Sequence, residues 1–236
     1  MCIIDKADAL FHEAGHLVVA VILDAPVEYL EIIESKSSKP IKYDLSLNRF
    51  ETIQDTTYEQ SNIYIPLDYI QNNPISDVMI RMSGVASEIM LIDKNHAHKE
   101  QILANGDDDK IITAINKIPD IYKRIVHGIC DKTKIIQGTI RISKYPTDSE
   151  IWENAGRDKG MIENSLNKFP IPYKEHIGNI LWTIVLQLIE INKSYIQDVV
   201  EDLYGMKPVV HTGSYYPSYY LDMKYICKLK IRIDTN

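Results

Sequence analysis

LFHEAGHLVVAVIL, residues 10–23, decides how the rest of the chain is read. Its apolar residues recur at helical spacing, and Pro26 follows where a helix has to have ended. A helix is therefore expected over 5–23, with Asp5 as its N-cap. Within it, HEAGH (12–16) sets two imidazoles four residues apart. Such residues share a helix face, so His12 and His16 project together and can bind one tetrahedral zinc ion. Glu13 is about 100° around from His12. It stands beside the metal rather than on it, placed to take a proton from a zinc-bound water. Zinc lowers the pKa of that water to about 7 and can polarise a substrate carbonyl. Glu13 can then hand the proton to the leaving amine. The bland alternative is a core helix with a few polar residues, but two histidines and a glutamate are costly to bury without partners. Zn2+ is accordingly the expected cofactor.

The totals fit a single domain with a sizeable core. Of 236 residues, 45% are hydrophobic and 25% charged, and the formal net charge is −7. That acidic balance argues against nucleic acid, whose binding faces need clustered Lys and Arg. Cys2, Cys130 and Cys227 form no CxxC, so neither a disulfide framework nor a cysteine zinc site follows. No secretion signal is visible at the start, and the longest apolar stretches fall short of the roughly 20 residues a bilayer demands. A cytoplasmic protein without a membrane span is expected.

Downstream, VEYLEIIES (27–35) and IKYDLSLN (41–48) alternate apolar and polar residues and are expected as a hairpin turning at SKSSKP. Residues 49–74 show no clear period and suggest a surface excursion. Residues 75–93 are expected as a helix whose Ser83, Gly84 and Ala86 allow another backbone to come close. His96 and His98 fall in a polar stretch taken as a surface loop. A helix is expected to follow Asp107–Asp109, and another to start at Pro119. KIIQGTIRIS (134–143) suggests extended chain, and 148–169 is mixed. A long amphipathic helix is expected over about 173–204, from Ile177, Ile180, Leu181, Ile184 and their repeats through Leu203. In the tail 206–236, YICKLKIRI suggests a strand. His127, His176 and His211 are isolated and expected to be structural or exposed, and Tyr215, Tyr216, Tyr219 and Tyr220 to pack under the tail.

HEAGH and two further segments resemble the peptidase domain of the FtsH-type zinc proteases. SGVASEIM (83–90) looks like that family's GRxAEE helix, with Ser87 at the place of its first glutamate. LANGDDDKIITAI (103–115) looks like its segment GASNDLxxAT, whose aspartate is the third zinc ligand. The late helices are similar to the family's terminal pair. By this resemblance Asp107 is the third ligand, with Asp108 and Glu88 as alternatives; their bland roles are an acidic first turn and a helix-packing or hydrogen-bonding residue. No GxxxxGK[ST] phosphate loop occurs in these residues, so the family's ATPase module is not expected here. The resemblance implies a mainly helical α+β, zincin-like domain with a small hairpin or sheet, spanning 1–236. Its zinc helix is 5–23, its third-ligand region 103–118 and its terminal helices about 173–204. The implied activity is a zinc metalloendopeptidase acting on flexible or unfolded polypeptides without ATP. His12, His16 and Asp107 hold the metal and Glu13 is the general base. Oligomerisation or a partner that delivers substrate fits the same resemblance. The alternative is a non-catalytic, metal-bound protein that binds peptides or regulates a partner.

Overall fold

The computed structural model describes residues 6–44, 49–92, 96–104, 107–147, 151–152, 155–210 and 217–235. The chain is mainly helical with a small antiparallel sheet. The first helix, α1 (Lys6–Ile22), has the extent its pattern predicts. Asp5 lies outside the described residues. Two strands follow, β1 (Tyr29–Asp44) and β2 (Arg49–Tyr64), paired antiparallel along their lengths. Here the expected hairpin is corrected. SKSSKP lies inside β1 instead of turning, and the stretch expected as an excursion is its partner. Thr, Ile, Tyr and Phe suit 49–64 to a strand, and the ladder satisfies backbone groups that a lack of side-chain alternation does not forbid.

A short helix α2 (Leu67–Asn72) leads into α3 (Pro74–Leu91), again close to expectation. The supposed loop around His98 is a helix, α4 (His96–Ala104). Asp107–Lys110 is a strand, β3, and not the acidic first turn of a helix. Next come α5 (Ile111–Asn116), α6 (Asp120–Lys132) and the two-residue β4 (Arg141–Ile142), which pairs with β3. The mixed stretch contains a helix, α7 (Gly156–Leu166). The long terminal helix is two, α8 (Lys174–Ile191) and α9 (Lys193–Gly205), interrupted at Asn192. β5 (Ser218–Leu221) adds to β1, giving the sheet order β2-β1-β5. The expected terminal strand is instead α10 (Met223–Asp234). The Asp222 side chain caps it by accepting from the Tyr225 amide at 2.9 Å, and Ile226 and Leu229 are buried one turn apart. Alternation suggested a strand, but the cap and that spacing favour helix.

The core lies between α1, α3 and α8, with Leu30 and Ile32 of β1 closing it from the sheet side. α8 is buried on most of its surface, from Ile177 to Ile189. Behind the sheet, Tyr29 stacks on Tyr64 and Tyr220, with ring centroids 5.2 and 5.4 Å apart. Tyr219 is buried, while Tyr215, Tyr216 and His211 lie outside the described residues. His176 donates to the Ala114 carbonyl at 2.9 Å and ties α8 to α5, a structural role. Among the described residues no helix is long and apolar enough to cross a membrane.

Candidate metal centre

α1 and α3 cross where both carry small residues. A Cβ on Gly15 would come within 2.5 Å of the Ser83 carbonyl oxygen, so glycine is what lets the two backbones approach. One turn away, a Cβ on Gly84 would meet the Nε2 atoms of His12 and His16 at 2.6 Å each. The small residues of α3 therefore form the surface against which the imidazoles of α1 meet.

Both rings are fixed from behind. His12 Nδ1 donates to Glu88 Oε1, and His16 Nδ1 donates to the Ile80 carbonyl at 2.5 Å. Both acceptors belong to α3. With its proton committed to Nδ1, each neutral ring turns a lone pair outward on Nε2. The two Nε2 atoms are 3.0 Å apart. Asp158, from the first turn of α7, brings Oδ2 to 3.0 Å from His12 Nε2 and 3.4 Å from His16 Nε2. Its other oxygen accepts from Arg81 Nη1 at 3.3 Å. One oxygen of Glu13 and one nitrogen of each histidine lie within 4.8 Å of one another. His12, Glu13 and His16 are all buried.

Three Lewis-basic atoms so close repel unless a cation joins them. A proton on His12 is the smallest. Burial opposes that charge, yet hydrogen bonds to Asp158 and Glu88 outweigh burial and hold His12 well above the usual 6.5. Burial likewise pushes Asp158 up, but His16 and His12 overcome it and hold the carboxyl far below the usual range. The α7 N-terminus adds to this, since helix N-termini favour negative charge. A divalent ion could also join the three atoms. Bonds of about 2.0–2.1 Å in a tetrahedron put ligand atoms about 3.3 Å apart, against separations here of 3.0, 3.0 and 3.4 Å. Two neutral imidazoles and one carboxylate are also a donor set suited to zinc, and each histidine has the outer partner that metal-bound imidazoles usually have.

Of the residues singled out in the sequence, His12, Glu13 and His16 converge, and Glu88 joins them as the acceptor behind His12. The Asp107 backbone is in β3, paired with Ile142; its side chain and that of Asp108 lie outside the described residues. Asp158 was not among the sequence candidates. The one local sign of it is an aspartate in a first helical turn ahead of Ile162 and Leu166, a pattern shared by many helices. No protein-family model matches the chain, and no curated protein matches it.

Proposed function

We propose that the chain is a zinc-dependent metallopeptidase of the HExxH kind, with His12, His16 and Asp158 as metal ligands and Glu13 as general base. The observation that carries this reading is the meeting of three lone pairs at tetrahedral spacing beside a buried Glu13. Asp158 takes the ligand role that the resemblance to FtsH-type peptidases assigned to Asp107. A zinc ion held by His12, His16 and Asp158 would supply Lewis acidity, lowering the pKa of a bound water to about 7 and polarising a carbonyl oxygen. Glu13 would accept a proton from the water that attacks the peptide carbonyl carbon. It then passes the proton to the departing amide nitrogen as the C–N bond breaks, so one carboxylate serves as base and then acid. Glu88 and the Ile80 carbonyl keep both imidazoles in the tautomer that presents Nε2. The packed helices around the site exclude bulk water, which strengthens each of these interactions.

The substrates are flexible or unfolded polypeptides, cut internally. An extended segment is what can reach a carbonyl into a site between helices.

The test is cleavage of an unfolded, fluorogenically labelled polypeptide by wild type and Glu13→Gln, with zinc content measured on both. Cleavage by wild type alone, at equal zinc, is the expected result, with a loss of at least about 10²-fold in the variant. Zinc in both proteins and cleavage by neither would overturn the peptidase in favour of a non-catalytic, metal-bound protein. No zinc in either would overturn the metal centre itself.

A further inference from the structure

We propose that Arg81 is a positioning residue that presents Asp158 to the metal, holding one carboxylate oxygen so that the other is left for the ion. This rests on the metal centre described above and concerns how its distant ligand is delivered.

Asp158 comes from α7, 146 residues along the chain from His12. A carboxylate has two equivalent oxygens and turns readily about its last bond, so it can offer either oxygen or both. Arg81 removes that equivalence. Its Nη1 donates to Oδ1 at 3.3 Å while Oδ2 faces the two Nε2 atoms. Arg81 is itself held, because its Nε is 3.4 Å from Asp77 Oδ1, one turn back on α3. Asp77 is buried, and its second oxygen accepts from Ser165 Oγ of α7 at 2.7 Å. Asp158 and Ser165 lie seven residues apart, two turns along one face of α7, with the buried Ile162 between them. The route therefore closes on itself: α7 is clasped to α3 at two points, and Arg81 stands between them.

The charges require this arrangement. The Arg81, Asp77 and Asp158 side chains are only 15%, 5% and 14% exposed. Buried charges persist when paired and hydrogen-bonded, and one guanidinium here serves two carboxylates with separate N–H groups. Lysine has a single ammonium on a flexible stem and does not reproduce the fork. Arginine, always protonated, is no ligand in its own right, so its effect on the metal passes through Asp158.

Full-length wild type, Arg81→Lys and Arg81→Gln are compared by zinc affinity in competition with a chromophoric chelator. Visible spectra of the cobalt-substituted proteins are recorded alongside, and circular dichroism checks each fold. Loss of an outer partner weakens metal binding by about 10–100-fold, and that is expected for Arg81→Gln. Arg81→Lys, which keeps the charge, is expected to stay folded and recover the affinity only in part. Both variants should shift the cobalt spectrum as the carboxylate turns from one bound oxygen towards two. Folded variants with wild-type zinc affinity and an unchanged cobalt spectrum would overturn the proposal while leaving the metal centre intact. If Arg81→Gln does not fold, Arg81→Lys decides by the same criteria. A wild-type chain that takes up neither zinc nor cobalt overturns both readings together.

Discussion

His12 and His16 stand on a helix buried on nearly every side, whereas Asp158 stands in the first turn of a shorter helix whose outer face is open to solvent. The two halves of one cluster are thus held by different forces. On α1, tight packing against Gly84 and Ser87 of α3 fixes the imidazoles, and their Nδ1 protons have acceptors on the same neighbour. On α7, a clasp of ion pairs and hydrogen bonds delivers the carboxylate. Packing of this kind gives way only with the fold, since interiors are close-packed. Polar clasps exchange with water and open locally at lower cost. The histidine half is a rigid platform, and the aspartate half completes it.

Removing Asp158, the ligand proposed above, should have the largest consequence. Asp158→Ala is expected to weaken zinc binding by more than the roughly 100-fold upper range seen for outer partners, with the fold retained by circular dichroism. Asp107→Ala should bind zinc as wild type does. If equilibrium dialysis shows the two behaving the other way round, the pairing of halves drawn here is wrong. On the platform side, Gly84→Ala places a methyl against both Nε2 atoms. Overpacking of this kind costs about 1–3 kcal/mol, so thermal melting should fall and zinc should be lost with it. A stable, zinc-binding Gly84→Ala protein would show that the platform is looser than its distances say.

Glu88→Gln probes the same half more gently. It keeps an acceptor behind His12 but removes the charge, and a zinc affinity lower by about tenfold is expected, the low end of the outer-partner range. The smallest effect belongs to the far end of α1. Asp24 there adopts a left-handed backbone (φ 58) and pairs with Lys132 of α6 and Lys230 of α10. Hydrogen bonds from Lys132 first, then Lys230, lower its pKa from 3.8. A depressed carboxyl stabilises the fold above its unfolded pKa and loses that contribution as pH falls through the folded one. Asn tolerates the same backbone, so Asp24→Asn should cost no more than about 1 kcal/mol for so exposed a pair. In denaturant titrations the difference from wild type should be present near neutral pH and vanish well below pH 3.8.

The legibility of the site divides along the same line. His12, Glu13 and His16 lie within one turn and a half, so helical geometry alone brings them together. Asp158 is invisible to any local pattern, because NAGRDKGM (154–161) acquires its meaning only from a contact across 146 residues. The acidic run Asp107–Asp109 drew the ligand reading through resemblance, and in the structure its backbone belongs to a strand. Glu88 was read as a packing or hydrogen-bonding residue, and its hydrogen bond turns out to be the one that orients His12.

For the fold, α1, α3 and the late helices follow from apolar stripes and bounding prolines, features that one helix carries in itself. The partner of β1, the break at Asn192 and the helical state of 223–234 depend on what each segment packs against. From its sequence alone this chain determines a helix that offers two imidazoles and a carboxylate on adjacent faces, because a 3.6-residue period acts over a few residues. That Asp158 stands beside the two imidazoles, with Arg81 on its other oxygen, is decided only by the tertiary structure. Burial must supply every charged group with a partner, and those partners lie far away in the chain.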